Sequence, residues 1–202
     1  MSLVYHDIKL FSNNENTVSS FVFFTQMLYL YFSKKEITYL KDYNNPNTQV
    51  VITFDDGFKN ILKYAIPILK IFKFPYEVFI VETYLNNKHT EFINKNELDS
   101  IINNNGRLQY HSYSHKNLTS IEDIAQLEKE IVCPQDLKVE YKNCFEYFAY
   151  PYWEYNNAVV NIIKKYYIGA RSGNGKSNNS IWALNSIKVK NNFKLKRFMN
   201  EY

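Results

Sequence analysis

Apolar and polar residues alternate along the chain with two different periods, which predict strands and helices in turn. The runs that predict strands are rich in β-branched and aromatic residues: "QVVITF" (49–54), "YEVFIV" (76–81), "RLQY" (107–110), "CFEYFAY" (144–150) and "SIKV" (186–189). Between them, apolar residues recur at helical spacing, as in Ile61, Ala65, Ile68, Leu69 and Phe72. This alternation predicts an α/β fold with parallel strands and crossover helices on the outside.

Short polar residues mark where the predicted helices begin and end. Ser19 and Ser20 can cap the apolar run that follows them, as can Asn156 and Ser120 for theirs, and Asn94 with Glu97 forms a capping-box pattern. Gly106 stands where the helix after Asn94 would stop. Because no linker is long enough to separate one domain from another, residues 1–202 are expected to form a single domain.

Composition and charge exclude several classes of protein. The chain has 202 residues, is 46% apolar and carries a formal net charge of +4, which suits a folded domain. The lysines and arginines are scattered, apart from some crowding between residues 188 and 197, so no nucleic-acid partner is expected. No apolar run could span a membrane, and no secretory leader is visible. The two cysteines are expected as free thiols, and a cytoplasmic location is expected unless a leader has been removed.

The polar residues that follow the predicted strands could hold a metal ion. Asp55 and Asp56 follow "VVITF", and His111 follows "RLQY", with His115 four residues further on. On a helical turn, both imidazoles would face the same side, and one carboxylate would complete an open metal site. Adjacent acids on an extended segment point apart, so one would bind metal and the other act as a base. The alternative is that one acid caps the next helix while the other is exposed.

Three motifs in order, "TFDDG", "HSYSH" and "FAYPY", resemble those of the polysaccharide deacetylases, the NodB-like carbohydrate esterase family 4. The opening "YHDI" also resembles one branch of that family. The resemblance implies a distorted (β/α) barrel, often with seven strands, and metal-dependent removal of an N-acetyl group from an amino sugar or glycan. Zinc is the first expectation for the ion, and cobalt, nickel or iron suit the same ligands.

The resemblance also implies a role for each residue of the motifs. Asp55 would be the base, and Ser112 and Ser114 would orient the histidine segment. The metal ligands would be Asp56, His111 and His115. The backbone N–H of Tyr152 would hold the oxyanion, with Pro151 shaping its turn.

The general acid is where the sequence departs most from the family. Relatives commonly use a histidine near the C-terminus, but no histidine follows His115. In the branch that opens with "YHxI", an N-terminal histidine is implied instead, which makes His6 the candidate and His89 the fallback. Asp7 would orient His6 or face solvent.

Two further departures concern the rim of the site. Many relatives place an arginine before the Pro-Tyr motif to pair with the catalytic aspartate, and here Ala149 occupies that region. Arg171 would supply the missing cation, or it would serve a structural or surface role. Trp153 replaces a glycine, and it would either stack on a sugar ring or pack internally.

Several functions remain open on the sequence alone. N-deformylation or O-deacetylation of a nucleotide-linked or lipid-linked sugar precursor would use the same residues. A catalytically weak relative that only binds glycan is the rival from another class. The sequence does not determine the oligomeric state.

Overall fold

A computed structural model describes residues 1–12, 14, 17–86, 88–173 and 180–192. The strands are β1 (Ser2–Tyr5), β2 (Asp7–Lys9), β3 (Thr17–Ser19), β4 (Glu36–Ile37), β5 (Gln49–Phe54), β6 (Tyr76–Ile80), β7 (Gly106–Tyr110), β8 (Tyr147–Ala149), β9 (Gly169–Arg171) and β10 (Ser186–Lys188). The helices are α1 (Ser20–Phe32), α2 (Asn60–Tyr64), α3 (Ile66–Phe72), α4 (Leu98–Ile102), α5 (Ile124–Ile131), α6 (Gln135–Glu140) and α7 (Asn157–Tyr166). Residues 174–179 and the portion of the basic run beyond residue 192 lie outside the described residues.

The main sheet is parallel throughout and curls into a nearly closed barrel. Its strand order is β10-β1-β5-β6-β7-β8-β9, with β4 paired to β5, while β2 and β3 form a separate two-stranded sheet. A bridge between Arg171 and Leu184 brings the β9 edge toward the chain that leads into β10. The predicted α/β fold, a distorted (β/α) barrel in a single domain, is confirmed. No helix in the described ranges is long and apolar enough to cross a bilayer.

Apolar side chains fill both faces of the barrel wall. The larger cluster packs the helices against the outer face of the sheet, with Leu3, Ile52 and Val78 among its fully buried members. A smaller cluster around Val51 and Phe79 fills the interior. This interior layer lies beneath the carboxyl ends of the strands, so polar groups at that rim rest on an apolar floor.

The capping predictions were partly right. Ser19 caps α1, Asn156 caps α7, and the box of Asn94 and Glu97 forms. Ser120 does not cap α5, because it closes a short 3₁₀ turn and Asp123 accepts the Gln126 N–H in its place.

Two other local predictions need correction. Gly106 is the first residue of β7, because α4 ends at Ile102 and a left-handed Asn105 turns the chain into the strand. The apolar face from Ile61 to Phe72 is divided between α2 and α3, with Pro67 in the first turn of α3.

The strand register brings the candidate residues to one rim. Tyr5 pairs with Phe54, so His6 and Asp55 leave neighbouring strands side by side. Ala149 pairs with Arg171 across β8 and β9, and the His111 N–H bonds to the carbonyl of Ile80 at the end of β6. Because all these strands are parallel, their carboxyl ends meet at the same mouth of the barrel.

Candidate active site

Asp56, His111 and His115 converge at the mouth of the barrel. Nε2 of His111 lies 3.5 Å from Oδ1 of Asp56, and Nε2 of His115 lies 3.3 Å from the same oxygen. One potential ligand atom from each of the three residues falls within 4.8 Å of the others. Oδ1 of Asp56 is buried without an aligned hydrogen bond among the described residues. Two imidazole nitrogens and an unsatisfied carboxylate oxygen are a donor set that fits a divalent cation with open positions.

The neighbours of His111 fix which of its nitrogens faces the cluster. Its Nδ1 lies 2.8 Å from the carbonyl oxygen of Ala149, so this nitrogen donates the hydrogen bond and Nε2 is left as an acceptor. The pKa of His111 is lowered to about 3, chiefly by burial and also by the neighbouring His115. His111 is therefore neutral at pH 7, the form in which an imidazole binds metal.

Asp56 stays ionised although it is largely enclosed. Burial raises the pKa of its carboxyl, but the imidazoles of His115, His111 and His6 outweigh burial and lower the pKa to about 2. The Asp56 carboxylate therefore carries its negative charge at neutral pH, which favours a cation.

The backbone of the site is strained. Four residues of the three motifs, and Trp153 directly after the last motif, adopt a left-handed conformation without being glycine. The four are Asp56, Ser112, His115 and Tyr152, and φ of all five lies between 56° and 75°. Such residues cost about 1–3 kcal/mol each and concentrate at functional sites. The predicted helical turn for "HSYSH" is wrong, because bends at both ends bring the two imidazoles together. Asp56 is not extended either, so the two acids diverge through a left-handed turn.

Hydrogen bonds to Ser112 and Glu130 hold the histidine segment, residues 111–115, in this shape. Oγ of Ser112 accepts a hydrogen bond from the His115 N–H at 2.8 Å. Oγ of Ser114 donates to Glu130 on α5 at 2.6 Å, and the Ser114 N–H donates to the other oxygen of that carboxylate. Sequence reasoning found the two serines but missed Glu130. Its signal was weak: a charged residue between Leu127 and Ile131 on the apolar face of α5.

The structure places Arg171 against Asp55. A guanidinium nitrogen donates to Oδ1 of Asp55, and both residues are only 2% exposed. The guanidinium also lies 4.2 Å from the centre of the Phe79 ring, over the apolar floor. Ala149, opposite Arg171 in the register, is small enough to leave room for this cation. The pair is buried, so Arg171 is not a surface residue.

His6 borders both groups. The pKa of His6 is lowered to about 4, chiefly by burial. The negative charge of Asp56 opposes this shift, whereas the positive charge of Arg171 adds a smaller lowering. Nδ1 of His6 is buried and has no hydrogen-bond partner among the described residues. Neither expectation for Asp7 holds, because its carboxylate is buried, accepts a hydrogen bond from Asn60 and pairs with Lys9.

Tyr152 and Trp153 form the wall next to His115. The Tyr152 ring lies 4.9 Å from the His115 ring and is 58% exposed. Pro151 is buried and begins the turn, whose hydrogen bonds are donated by Trp153 and Glu154. Within the described ranges, nothing accepts a hydrogen bond from the Tyr152 N–H. Trp153 packs over Gly173 and is partly buried.

A second aromatic wall was not foreseen from the sequence. Tyr84, in the turn after β6, stacks on Phe92 at 4.1 Å and lies near enough to Asp56 for that charge to raise its pKa, after the larger effect of burial. His89 packs against this wall, 5.4 Å from the Tyr84 ring. Nothing in the strand or helix pattern marks Tyr84, since it lies in a short 3₁₀ turn.

Solved structures with the same architecture include a Streptococcus pyogenes deacetylase, PplD, in complex with acetate. It is 19% identical with a TM-score of 0.85, over 98% of this chain and 96% of that chain. IcaB from Ammonifex degensii is 17% identical with a TM-score of 0.79, over 98% and 94% of the two chains. A de-N-acetylase from Aggregatibacter actinomycetemcomitans is 14% identical with a TM-score of 0.71, over 98% of each chain. At these low identities, the TM-scores show a shared fold and nothing more specific.

The sequence itself matches a described family. No curated protein matches the chain, but the family described as polysaccharide deacetylase matches residues 42–170, well over half of it. That span contains both aspartates, both histidines and the Pro-Tyr turn, whereas His6 and Arg171 lie outside it. The chain belongs to the polysaccharide deacetylase family.

Proposed function

We propose that this protein is a metal-dependent hydrolase that removes an N-acetyl group from an amino sugar or glycan. The observation that carries the proposal is the meeting of two separate carboxylates at one rim. Asp56 faces two imidazoles, and Asp55 faces a buried guanidinium. Membership of the polysaccharide deacetylase family and the likeness in fold to deacetylases support it.

The ligands of the cation would be Asp56, His111 and His115. A divalent ion held there would polarise the scissile carbonyl and make a water acidic enough to lose its proton near neutral pH. Zinc suits two nitrogens and one oxygen, and cobalt, nickel or iron suit them as well.

Asp55 would act as the general base. It would take the proton from the attacking water, while Arg171 keeps its carboxylate ionised and in one orientation. The Tyr152 N–H, unused by its own turn, would donate to the oxyanion of the tetrahedral intermediate. The left-handed backbone at Tyr152 would hold that N–H in place before substrate arrives.

His6 would donate the proton that the leaving amine needs. An amine is a poor leaving group unless it is protonated as the C–N bond breaks. His6 is neutral in the resting site, because burial holds its pKa near 4, so it would have to gain a proton during the cycle. Its buried and unpartnered Nδ1 and its position beside Asp55 at the barrel mouth support this role over His89.

The test is the release of acetate, measured against formate, from N-acetylated sugars, nucleotide sugars and short oligosaccharides. The protein would be stripped with a chelator and reloaded with zinc or cobalt, beside an Asp55→Asn variant that keeps the metal ligands. We expect acetate release that needs metal and is lost in the variant. Formate release would make the protein a deformylase. If metal and glycans both bind but neither acetate nor formate is released, the protein is a glycan-binding relative.

A further inference from the structure

The outer faces of α1 and α3 together expose an unusual amount of aromatic surface. Phe32 is 76% exposed, Ile71 is 69% exposed and Tyr31 is 58% exposed. Ring contacts join the aromatic side chains of the two helices into one surface. The ring centres of Phe32 and Tyr31 are 5.3 Å apart, and those of Tyr31 and Phe72 are 5.5 Å apart. The aromatic patch comprises Phe24, Leu28, Tyr31, Phe32, Ile71, Phe72 and Phe74. A contiguous apolar surface of this kind usually marks an interaction site.

The charged side chains on the helices of the aromatic patch, and on the two residues that precede Glu36 after α1, are all lysines. Residues 17–35 and 60–75, which carry α1, α2 and α3, contain five lysines and no acidic residue or arginine. The chain as a whole has 20 acids, so their absence here is local. Lys34 and Lys35 follow the last turn of α1, and Lys70 and Lys73 flank Ile71 and Phe72. In the described portion of the chain, none of the five lysines has a carboxylate within ion-pair distance.

The aromatic patch lies toward the end of the barrel opposite the active site. After α1 ends at Phe32, the chain enters β4, which pairs with Gln49 and Val50 at the start of β5. Likewise α3 ends at Phe72, just before β6 begins at Tyr76. Asp55 follows the other end of β5, so a partner on the patch would leave the mouth of the barrel open.

We propose that the aromatic patch and its lysines dock the protein on an anionic lipid surface. Aromatic side chains beside lysines are the combination that binds at a bilayer interface, where the rings enter the headgroup region and the ammonium groups meet lipid phosphates. A second copy of the chain is disfavoured, because its own lysines would oppose these. The proposal is independent of the catalytic assignment and concerns lying on a membrane rather than crossing it.

The experiment is flotation of the full chain with vesicles of pure phosphatidylcholine or of a mixture rich in phosphatidylglycerol. We expect binding to the anionic vesicles only, weakened by added salt. Lys34→Gln with Lys70→Gln should weaken partitioning by roughly tenfold or more, since each lysine near such a surface contributes about fivefold. Phe32→Ser with Ile71→Ser should reduce binding at least as much.

Matched controls keep the test specific. Lys88→Gln with Lys142→Gln removes two exposed lysines elsewhere, and Ile124→Ser removes an apolar side chain that is exposed on α5; these variants should bind as the wild type does. All variants should keep wild-type hydrolysis of a small water-soluble substrate, which separates docking from catalysis. Absence of vesicle binding, or equal loss in patch and control variants, would overturn the proposal. A dimer in light scattering that Phe32→Ser breaks would assign the patch to self-association instead.

Discussion

Asp55 and Arg171 are each so deeply buried that neither charge can be left alone in the folded protein. They are separated by 116 positions in the sequence, and each is the partner that makes burial of the other tolerable. Breaking such a pair from one side typically costs about 3–5 kcal/mol. The stability of the fold and the readiness of the proposed base therefore depend on the same contact.

Arg171→Met should destabilise the protein by about 3–5 kcal/mol in urea denaturation, because Asp55 keeps a buried charge without its partner. The variant should also move the acidic limb of the pH–rate profile upward, since an unpaired buried carboxyl ionises at higher pH. Combining the change with Asp55→Asn gives a double-mutant cycle. If the two destabilisations simply add, the side chains are not coupled and Arg171 has another role.

His6→Ala should lower kcat by a factor of about 10²–10⁴, the usual contribution of a positioned general acid, while zinc affinity stays near that of the wild type. His89→Ala is the matched control and should keep full turnover, because that ring packs on Tyr84 and Phe92. Full turnover in His6→Ala would rule out His6 as the acid, and a loss of turnover in His89→Ala would assign a role in turnover to His89. Metal content, measured on the same samples, separates loss of the acid from loss of the ion.

The metal-free protein should lose stability as the pH falls from 6.5 toward 4. His111 and His6 have pKa values of about 3 and about 4 in the folded state, below the value of 6.5 in an unfolded chain. The unfolded state therefore binds more protons across this window, and acid favours it. The expected loss between pH 6.5 and 4.5 is on the order of 2–5 kcal/mol.

Denaturation with a chelator present, repeated at several pH values, checks this dependence. His111→Asn should flatten the curve, and His89→Ala should leave it as in the wild type. A wild-type curve that stays level to pH 4.5 would show that these imidazoles are not held neutral by burial.

Among the elements, sequence patterns predicted secondary structure best where neighbouring residues decide it. The β-rich run before Asp55 became β5, and the caps at Ser19 and Asn156 formed, because strand pattern and capping act locally. The fold class followed from the alternation of such elements. "HSYSH" did not become the predicted helical turn, because hydrogen bonds to Ser112 and Glu130 hold it in left-handed bends.

The residues of the candidate site that lie in the motifs could be predicted from the sequence. The residues that only tertiary contacts bring to the site could not. Asp56, His111 and His115 were grouped from the sequence and lie together in the structure. The alternatives for Arg171 could not be separated beforehand, because its position opposite Ala149 depends on strand register. Tyr84 was missed because its approach to the site depends on the path of a loop, which is also a tertiary feature.

Two glycines at opposite ends of the barrel allow the scaffold and the site to be tested separately. A Cβ at Gly106 would lie 2.5 Å from Cγ2 of Ile101 and 2.6 Å from Cζ of Tyr76, so Gly106→Ala should push α4 away from the sheet. We expect about 1–3 kcal/mol of destabilisation with kcat unchanged, because the clash lies far from the catalytic rim.

Gly173→Ala should show the opposite pattern, with a clear loss of kcat and only a small loss of stability. Its Cβ would collide with the ring of Trp153 and lie 2.6 Å from the carbonyl oxygen of Ser186. Displacing Trp153 disturbs the turn that holds the Tyr152 N–H. Denaturation and steady-state kinetics on both variants check the pair, and equal kinetic losses in the two would show that the barrel transmits strain from end to end.

At the scale of the whole molecule, the proposed metal ties together segments that are distant in the sequence. Asp56 follows β5, and the histidines follow β7, so an ion bound to all three would hold the two loops against each other. A ligand that binds only the folded state stabilises it by about 2.7 kcal/mol at a hundred times its dissociation constant.

Saturating zinc should therefore raise the midpoint of thermal unfolding by about 5–10 °C in a chain of this size. His115→Ala should remove most of this increase, and His89→Ala should keep it. Calorimetry or a fluorescence melt, with and without chelator, measures the difference. An equal shift in both variants would mean that zinc binds elsewhere.

The position of β1 between β10 and β5 has a consequence for how the protein is made. β1 is synthesised before both of its partners, and the edge that β10 covers has no neighbour until residues 186–188 have been made and have left the ribosome. Until then the strand that leads into His6 is open to pairing with other nascent chains, as unpaired edges are. A chain stopped after residue 180 should bind zinc poorly and aggregate, because β1 keeps an open edge beside the segment that carries His6.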